Sequence, residues 1–242
     1  MKNEIDNVIP KANWEFDQSV ADCFENMLSR SIPQYDVMRS SVSNLVRDVL
    51  NSIPIKQTFQ ILDVGCQDGL MLESMIKQFE PDRGYFYGID VSESMLAKAR
   101  ERFQNEQRVR IMNHDVTKSV PAGYFDVITS VLTLQFIPIN YRQQIIQQIY
   151  ERLSPVNGCF IFVEKVLGSS AYLDELFIKN YHEHKKENGY SAEDIERKRM
   201  SLEGVLVPVT SDWNIDLMKQ AGFRHIDTFW RWMNFVGYIA IK

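Results

Sequence analysis

The sequence predicts an α/β fold: a mostly parallel sheet flanked by helices, preceded by N-terminal helices and closed by an antiparallel C-terminal hairpin. Three observations predict it. Short apolar segments alternate with amphipathic ones between residues 59 and 163, the pattern of strands joined by crossover helices. The first strand runs into a glycine turn, Ile61-Leu62-Asp63-Val64-Gly65-Cys66-Gln67-Asp68-Gly69, that opens a helix. Two apolar, aromatic stretches, Phe223–Trp230 and Asn234–Ile241, are only a few residues apart and therefore pair antiparallel.

Each element follows from local pattern. Residues 1–12 are polar and contain Pro10, which suggests an arm. Trp14, Val20, Phe24, Met27 and Leu28 partly follow helical spacing over Asn13–Leu28. After Pro33 a second helix carries Val37, Val42, Leu45, Val46, Val49 and Leu50, and Pro54 ends it. Strands are expected at Phe59–Val64, Tyr85–Ile89, Arg108–Met112, Tyr124–Leu132 and Cys159–Val163. Helices are expected at Leu70–Phe79, Glu93–Phe103 and Tyr141–Leu153, the last stopped by Ser154-Pro155 and Asn157-Gly158. Residues 168–206 break the alternation with a long, charged, helix-prone stretch, read as an inserted helical cap over 166–208. A helix from Asp212 to Gln220, stopped at Gly222, precedes the hairpin. The division expected is one domain over 1–242, with residues 1–55 as a helical lid.

Composition narrows the function. The 242 residues suffice to bury a core without disulfides or metals. A net charge of −5 and the absence of an obvious basic face argue against direct nucleic-acid binding. Cys23, Cys66 and Cys159 lie far apart and read as reduced thiols of a cytoplasmic protein. The polar, acidic start Met1–Asp6 is not a signal peptide. No apolar run approaches the roughly 20 residues that span a bilayer, so no membrane contact is expected.

The glycine turn is where a ligand is expected. A helix N-terminus offers unpaired N–H groups and a partial positive charge, and Gly65 and Gly69 let a ligand approach the backbone. The turn departs from the dinucleotide pattern G-x-G-x-x-G because Cys66-Gln67-Asp68 fill its middle, and a pyrophosphate would meet the Asp68 carboxylate. It suits a ligand without phosphates, such as a zwitterionic amino-acid tail, with Asp63 bonding the turn or an ammonium group. Asp90 ends the second strand about 20 residues on, where a carboxylate grips a ribose diol in such folds. Asp115, in Asn113-His114-Asp115-Val116, can meet an adenine amino group. Phe125-Asp126-Val127-Ile128 opens into Ser130-Val131-Leu132 at the sheet's carboxyl edge, where Ser130 and Val131 are expected to contact the cofactor.

These motifs, in this order over residues 59–165, resemble the class I S-adenosylmethionine (SAM)-dependent methyltransferase superfamily. The resemblance implies a Rossmann-like, seven-stranded sheet with a reversed hairpin at one edge. A closer likeness covers almost the whole chain. Trp14-x-Phe16-Asp17, Arg30-Ser31-Ile32-Pro33-Gln34-Tyr35, Thr133-Leu134-Gln135-Phe136, Glu164-Lys165, Asn188-Gly189-Tyr190-Ser191 and Lys198-Arg199 are similar to the carboxy-S-adenosylmethionine synthase family. That likeness implies a transferase that decarboxylates prephenate and captures the carbon dioxide on the SAM methyl group, feeding a partner enzyme that modifies a tRNA wobble uridine. It implies cofactor contacts from Tyr35, Gly65, Cys66, Gln67, Asp90, Val91, Asp115 and Val116. It also implies that Arg199 pairs with the carboxylate of carboxy-SAM, a role suited to a bidentate guanidinium. Where the family carries an asparagine after the fourth strand, this chain has Val131, with Ser130 and Thr129 as its polar neighbours. That difference keeps open an ordinary methyltransferase of a small-molecule acceptor, or a protein that binds the cofactor without turnover.

Other groups read as structural. His182 and His184 are two residues apart and do not share a helix face, so no metal is expected. His114 and His225 stand singly beside strands, and Cys66 is a small packing residue. Phe229, Trp230, Trp232, Phe235 and Tyr238 alternate as core or as the surface of a homodimer. Tyr35 and Trp14 either cap the cofactor or anchor the N-terminal helices.

Overall fold

Alternation of side chains along the strands divides the apolar residues between two faces, and each face is covered by its own helices. The computed structural model describes residues 5–8, 13–52, 58–81 and 83–242. Pro10 and Pro54 lie outside them. The order is α1 (Gln18–Ser31), α2 (Tyr35–Ser52), β1 (Gln60–Val64), α3 (Leu70–Ile76), β2 (Tyr85–Asp90), α4 (Glu93–Arg102), β3 (Val109–Asn113) and β4 (Val127–Val131). A 3-10 turn at Leu134–Phe136 leads to α5 (Ile139–Arg152), β5 (Cys159–Leu167), α6 (Ala171–Glu187), α7 (Ala192–Ser201), β6 (Val209–Thr210), α8 (Ser211–Ala221), β7 (His225–Trp232) and β8 (Phe235–Ile241).

The sheet order is β3-β2-β1-β4-β5-β8-β7, with β6 pairing to β5 off this path. β1 to β5 are mutually parallel, and β8 alone runs antiparallel to both its neighbours. The expected seven strands are present, and the two-residue β6 adds an eighth that its length hid from periodicity. One core joins Ile61, Val127 and Val131 to α1–α4; the other joins Leu62, Ile128 and Phe160 to α5 and α8. Neither strand order nor crossing leaves the central strands exposed, and β4 is buried throughout.

The helix boundaries follow their caps. α1 starts at Gln18 rather than Asn13 because the Asp17 carboxylate accepts from the Val20 N–H (3.0 Å). Between β5 and β6 the chain forms two helices rather than one. They break at Asn188-Gly189, where Gly189 takes φ +86°, and restart on a capping box between Ser191 and Asp194. β5 runs four residues beyond the expected Val163, to Leu167, and carries Glu164 and Lys165 into the protein.

Candidate active site

The parallel strands β2, β1 and β4 all end at one edge, and the order reverses between β1 and β4, the place where such sheets leave a crevice. A cavity of about 310 Å³ lies there, within the size range of small-molecule sites. Each strand end contributes to it: Gly65 and Gln67 after β1, Asp90 and Val91 at the end of β2, Asp115 and Val116 after β3, Leu132 and Thr133 after β4. Trp14 and Phe16 form part of its wall from the segment before α1, and Phe136 from the 3-10 turn. The Phe16 ring meets that of Phe136 edge-on at 5.1 Å, and Ser92 Oγ donates to the Phe16 carbonyl (2.6 Å), tying the entering chain across the cavity.

The glycine turn is built around backbone positions other residues resist. Gly65 has φ +73°, and a Cβ there would lie 2.2 Å from Thr133 Oγ1. Gln67 and Leu132 also take positive φ, at 54° and 57°, and both line the cavity. Such backbone persists only where the surroundings hold it. The Gln67 N–H donates to Asp90 Oδ2 (3.0 Å) and the Ser92 N–H to Asp90 Oδ1 (2.9 Å). On the β4 side, buried Glu164 accepts from the N–H groups of Thr133 (3.1 Å) and Leu134 (3.0 Å). Burial pushes the Glu164 carboxyl up to about 8, against the opposing pull of the Arg142 guanidinium.

A smaller recess behind the turn is lined by Tyr35, Arg39, Asp63, Cys66 and Val131. Asp63 is buried and accepts from Thr129 Oγ1 (2.7 Å); burial raises its carboxyl to about 7. Arg39 donates to Ser74 Oγ (2.8 Å), while its buried Nε has no hydrogen-bond partner among the described residues. An acid and a guanidinium thus share one recess beside Gly65, the charge pattern of a zwitterion's complement. Burial also raises the Cys66 thiol well above its ordinary value, so it is an inert packing group rather than a nucleophile.

Several expectations need correction. Asp68 does not line the cavity: its carboxylate pairs with Arg102 (3.0 Å) and accepts from the Leu70 N–H. Asp90, by holding the Gln67 N–H, is the acidic group in the turn's path instead. Ser130 lines neither the cavity nor the recess. The pleat puts Thr129 and Val131 on one face and Ser130 on the other, where its buried Oγ has no hydrogen-bond partner among the described residues. Arg199 does not reach the cavity within the chain. α7 turns Ile195, Lys198 and Ser201 inward, so Arg199 points outward, half exposed, and pairs with Glu196 (2.7 Å). An exposed i,i+3 pair avoids the cost of burying a guanidinium. His114, read as structural, is a wall residue of the cavity, its ring held by the Ser119 carbonyl (2.7 Å).

Sequence reasoning missed Phe136, Glu164 and Arg39 as parts of the site. The apolar wall had no signal beyond ordinary core spacing, and Glu164 was hidden by the underestimated length of β5. Among the described residues, no cluster of three or more His, Cys, Asp or Glu is placed to hold a metal. No helix among them is long and apolar enough to cross a membrane.

Comparison with known proteins agrees with this geometry. A family model described as a methyltransferase domain matches residues 61–156. Among solved structures, the CurJ carbon methyltransferase superposes with a TM-score of 0.68 at 12% identity, covering 94% of this chain and 61% of that one. Human N-acetylserotonin methyltransferase in complex with SAM gives 0.56 at 13% identity, covering 93% and 55%. The chain thus spans little more than half the length of these two, and the likeness concerns the fold. Fold and crevice together are those of the class I methyltransferase type. Carboxy-S-adenosyl-L-methionine synthase of Methylococcus capsulatus is 35% identical over 233 residues, covering 95% of this chain and 94% of that protein. The enzyme of the same name from Wolinella succinogenes is also 35% identical and covers 100% and 99%. The chain belongs to the carboxy-S-adenosyl-L-methionine synthase family.

Proposed function

We propose that this protein makes carboxy-SAM: the carboxyl group that prephenate loses as carbon dioxide is captured by the SAM methyl carbon, the ring hydroxide of prephenate and one methyl proton leave together as water, and phenylpyruvate remains. The observation that carries this reading is the end-to-end likeness to carboxy-SAM synthases, across both the cofactor turn and the helical segment between β5 and β6. Asp90 and Val91 would hold the ribose, Asp115 and Val116 the adenine, and Gly65 and Gln67 the methionine chain. Asp63 and Arg39 would take its ammonium and carboxylate, with Tyr35, Cys66 and Val131 packing behind them. Trp14 and Phe16 support treating residues 1–55 as a lid on a single domain, and 166–208 as its cap. A small molecule, rather than nucleic acid, is the substrate that a 310 Å³ cavity and a net charge of −5 suit.

Incubation with SAM and prephenate, followed by mass measurement of the nucleotide product, tests the reading. A carboxylated cofactor together with phenylpyruvate is expected; neither appearing overturns it. A second reading, methyl transfer to another small acceptor, is favoured by apolar Val131 in the recess. It predicts S-adenosylhomocysteine in place of carboxy-SAM. We further place the protein in the cytoplasm, where its three free, buried cysteines stay reduced. We also propose a homodimer, because α6 presents Tyr172, Leu173 and Leu176 as an exposed apolar ridge.

A further inference from the structure

Beside the cofactor cavity lies a second chamber, with about 90 Å³ of free space. The two share Trp14, Phe16, Gln67, Leu132 and Phe136 in their walls, so the chamber opens on the cofactor rather than on solvent alone. Its far side is mostly apolar, with Phe24, Met27 and Leu28 from α1 and Leu202 after α7. Into this apolar space come two ammonium groups, Lys185 from α6 and Lys198 from α7.

The two lysines differ in one decisive respect. Lys198 is neutralised by the buried carboxylate of Asp6, which also accepts from the Tyr190 hydroxyl. Lys185 is 8% exposed, and among the described residues it has no ion pair and no side-chain hydrogen bond. Its ammonium rests 4.7 Å from the centre of the Tyr181 ring. A third ammonium, Lys165, lies 4.8 Å from the same ring. The nearby acids are already engaged: Asp6 by Lys198 and Tyr190, and Asp174 by the Gly168 N–H (2.8 Å). The region therefore holds more buried positive charge than the described residues neutralise. Leaving an ammonium unpaired in such a place is costly, and contact with an aromatic face recovers only part of the cost. Burial accordingly drives Lys185 down to about 8.

We propose that this chamber is the subsite for the second substrate, and that Lys185 pairs there with the carboxylate of an acidic organic molecule. The inference rests on the cofactor occupying the larger cavity. A carboxylate and a few carbons fill 90 Å³, and the remainder of the molecule extends past Phe16 and Phe136 toward the cofactor. Binding of the anion then replaces a cation–ring contact by a charge-assisted hydrogen bond, so substrate and cofactor are drawn into one dry space. Lys185 acts here as a binding group for substrate, with no proton transfer assigned to it.

Lys185→Met tests the proposal, with Lys186→Met on the exposed side of the same helix as the control. Lys185→Met is expected to bind SAM as the wild type does and to raise KM for prephenate about tenfold or more. Without ligand its melting temperature is expected to equal or exceed that of the wild type, because an unpaired buried charge has been removed. A lysine with a purely structural role gives the reverse: a lower melting temperature and unchanged KM. Either of those results overturns the proposal. Titration of the S-adenosylhomocysteine-loaded protein with prephenate separates this inference from the synthase reading. Binding that Lys185→Met weakens tenfold supports the subsite even without turnover, and no binding to the wild type overturns it.

Discussion

Asp63 is the residue whose chemistry is most changed by its surroundings. Among the described residues it has one hydroxyl donor, Thr129, and no cation bound to it, with the like charge of Asp90 nearby, so water's absence dominates and its carboxyl rises to about 7. The unfolded chain releases this proton near pH 4, the folded one only near 7. Between those values the folded state holds more protons, so stability from this group is full below pH 4 and is lost as pH rises through 7. Asp63→Asn, measured without cofactor, should therefore melt close to the wild type at pH 4 and about 5–10 °C higher at pH 8. Thermal scans at both values check this. The same substitution removes the acid proposed for the cofactor's ammonium, so SAM affinity should fall while stability rises. Opposite changes in the two quantities mark a group kept for binding at the expense of the fold.

At the scale of elements, α7 shows what a helix decides. Lys198 and Arg199 are neighbours in sequence and about 100° apart around the axis, and only Lys198 meets the buried face. Nothing in the segment Arg197-Lys198-Arg199 distinguishes them before the cap at Ser191 fixes the register. For the same reason Lys185 could not be separated from Lys186, whose ammonium is exposed and paired with Glu183. The glycine turn was legible by contrast, because strand, special backbone and helix start are each written locally. Ser130 and Val131 needed only the pleat's parity, yet assigning which face meets the recess required the neighbours. α7 also carries a testable contrast: Asp6→Ala strands Lys198 in the protein and should cost about 3–5 kcal/mol, read by denaturant titration. Asp6→Ala combined with Lys198→Met should recover much of that loss, because the stranded charge is gone.

Across the whole molecule, the mostly parallel sheet and the antiparallel final hairpin followed from alternation and a short final loop, whereas the strand order β3-β2-β1-β4-β5-β8-β7 was not read from the sequence. Nor was the shape of the second chamber, because it is made by parts remote in sequence. The outer surface adds a further expectation. If the α6 ridge of Tyr172, Leu173 and Leu176 is covered by a second copy, Leu176→Asp should convert a dimer to a monomer in sedimentation velocity. A monomeric wild type removes the homodimer from the reading.

The pairing of Asp6 with Lys198 spans 192 residues of chain. During synthesis the turn at 61–69, the strands to β5 and the wall at Leu132–Phe136 all leave the ribosome before Lys198 does. A nascent chain can thus assemble the nucleotide half of its pocket while the acid-binding half has no floor. Closing so long a loop is entropically late as well as chronologically late. Ribosome-stalled chains ending near residue 170 should have no means of holding the second substrate, whatever they achieve with the first.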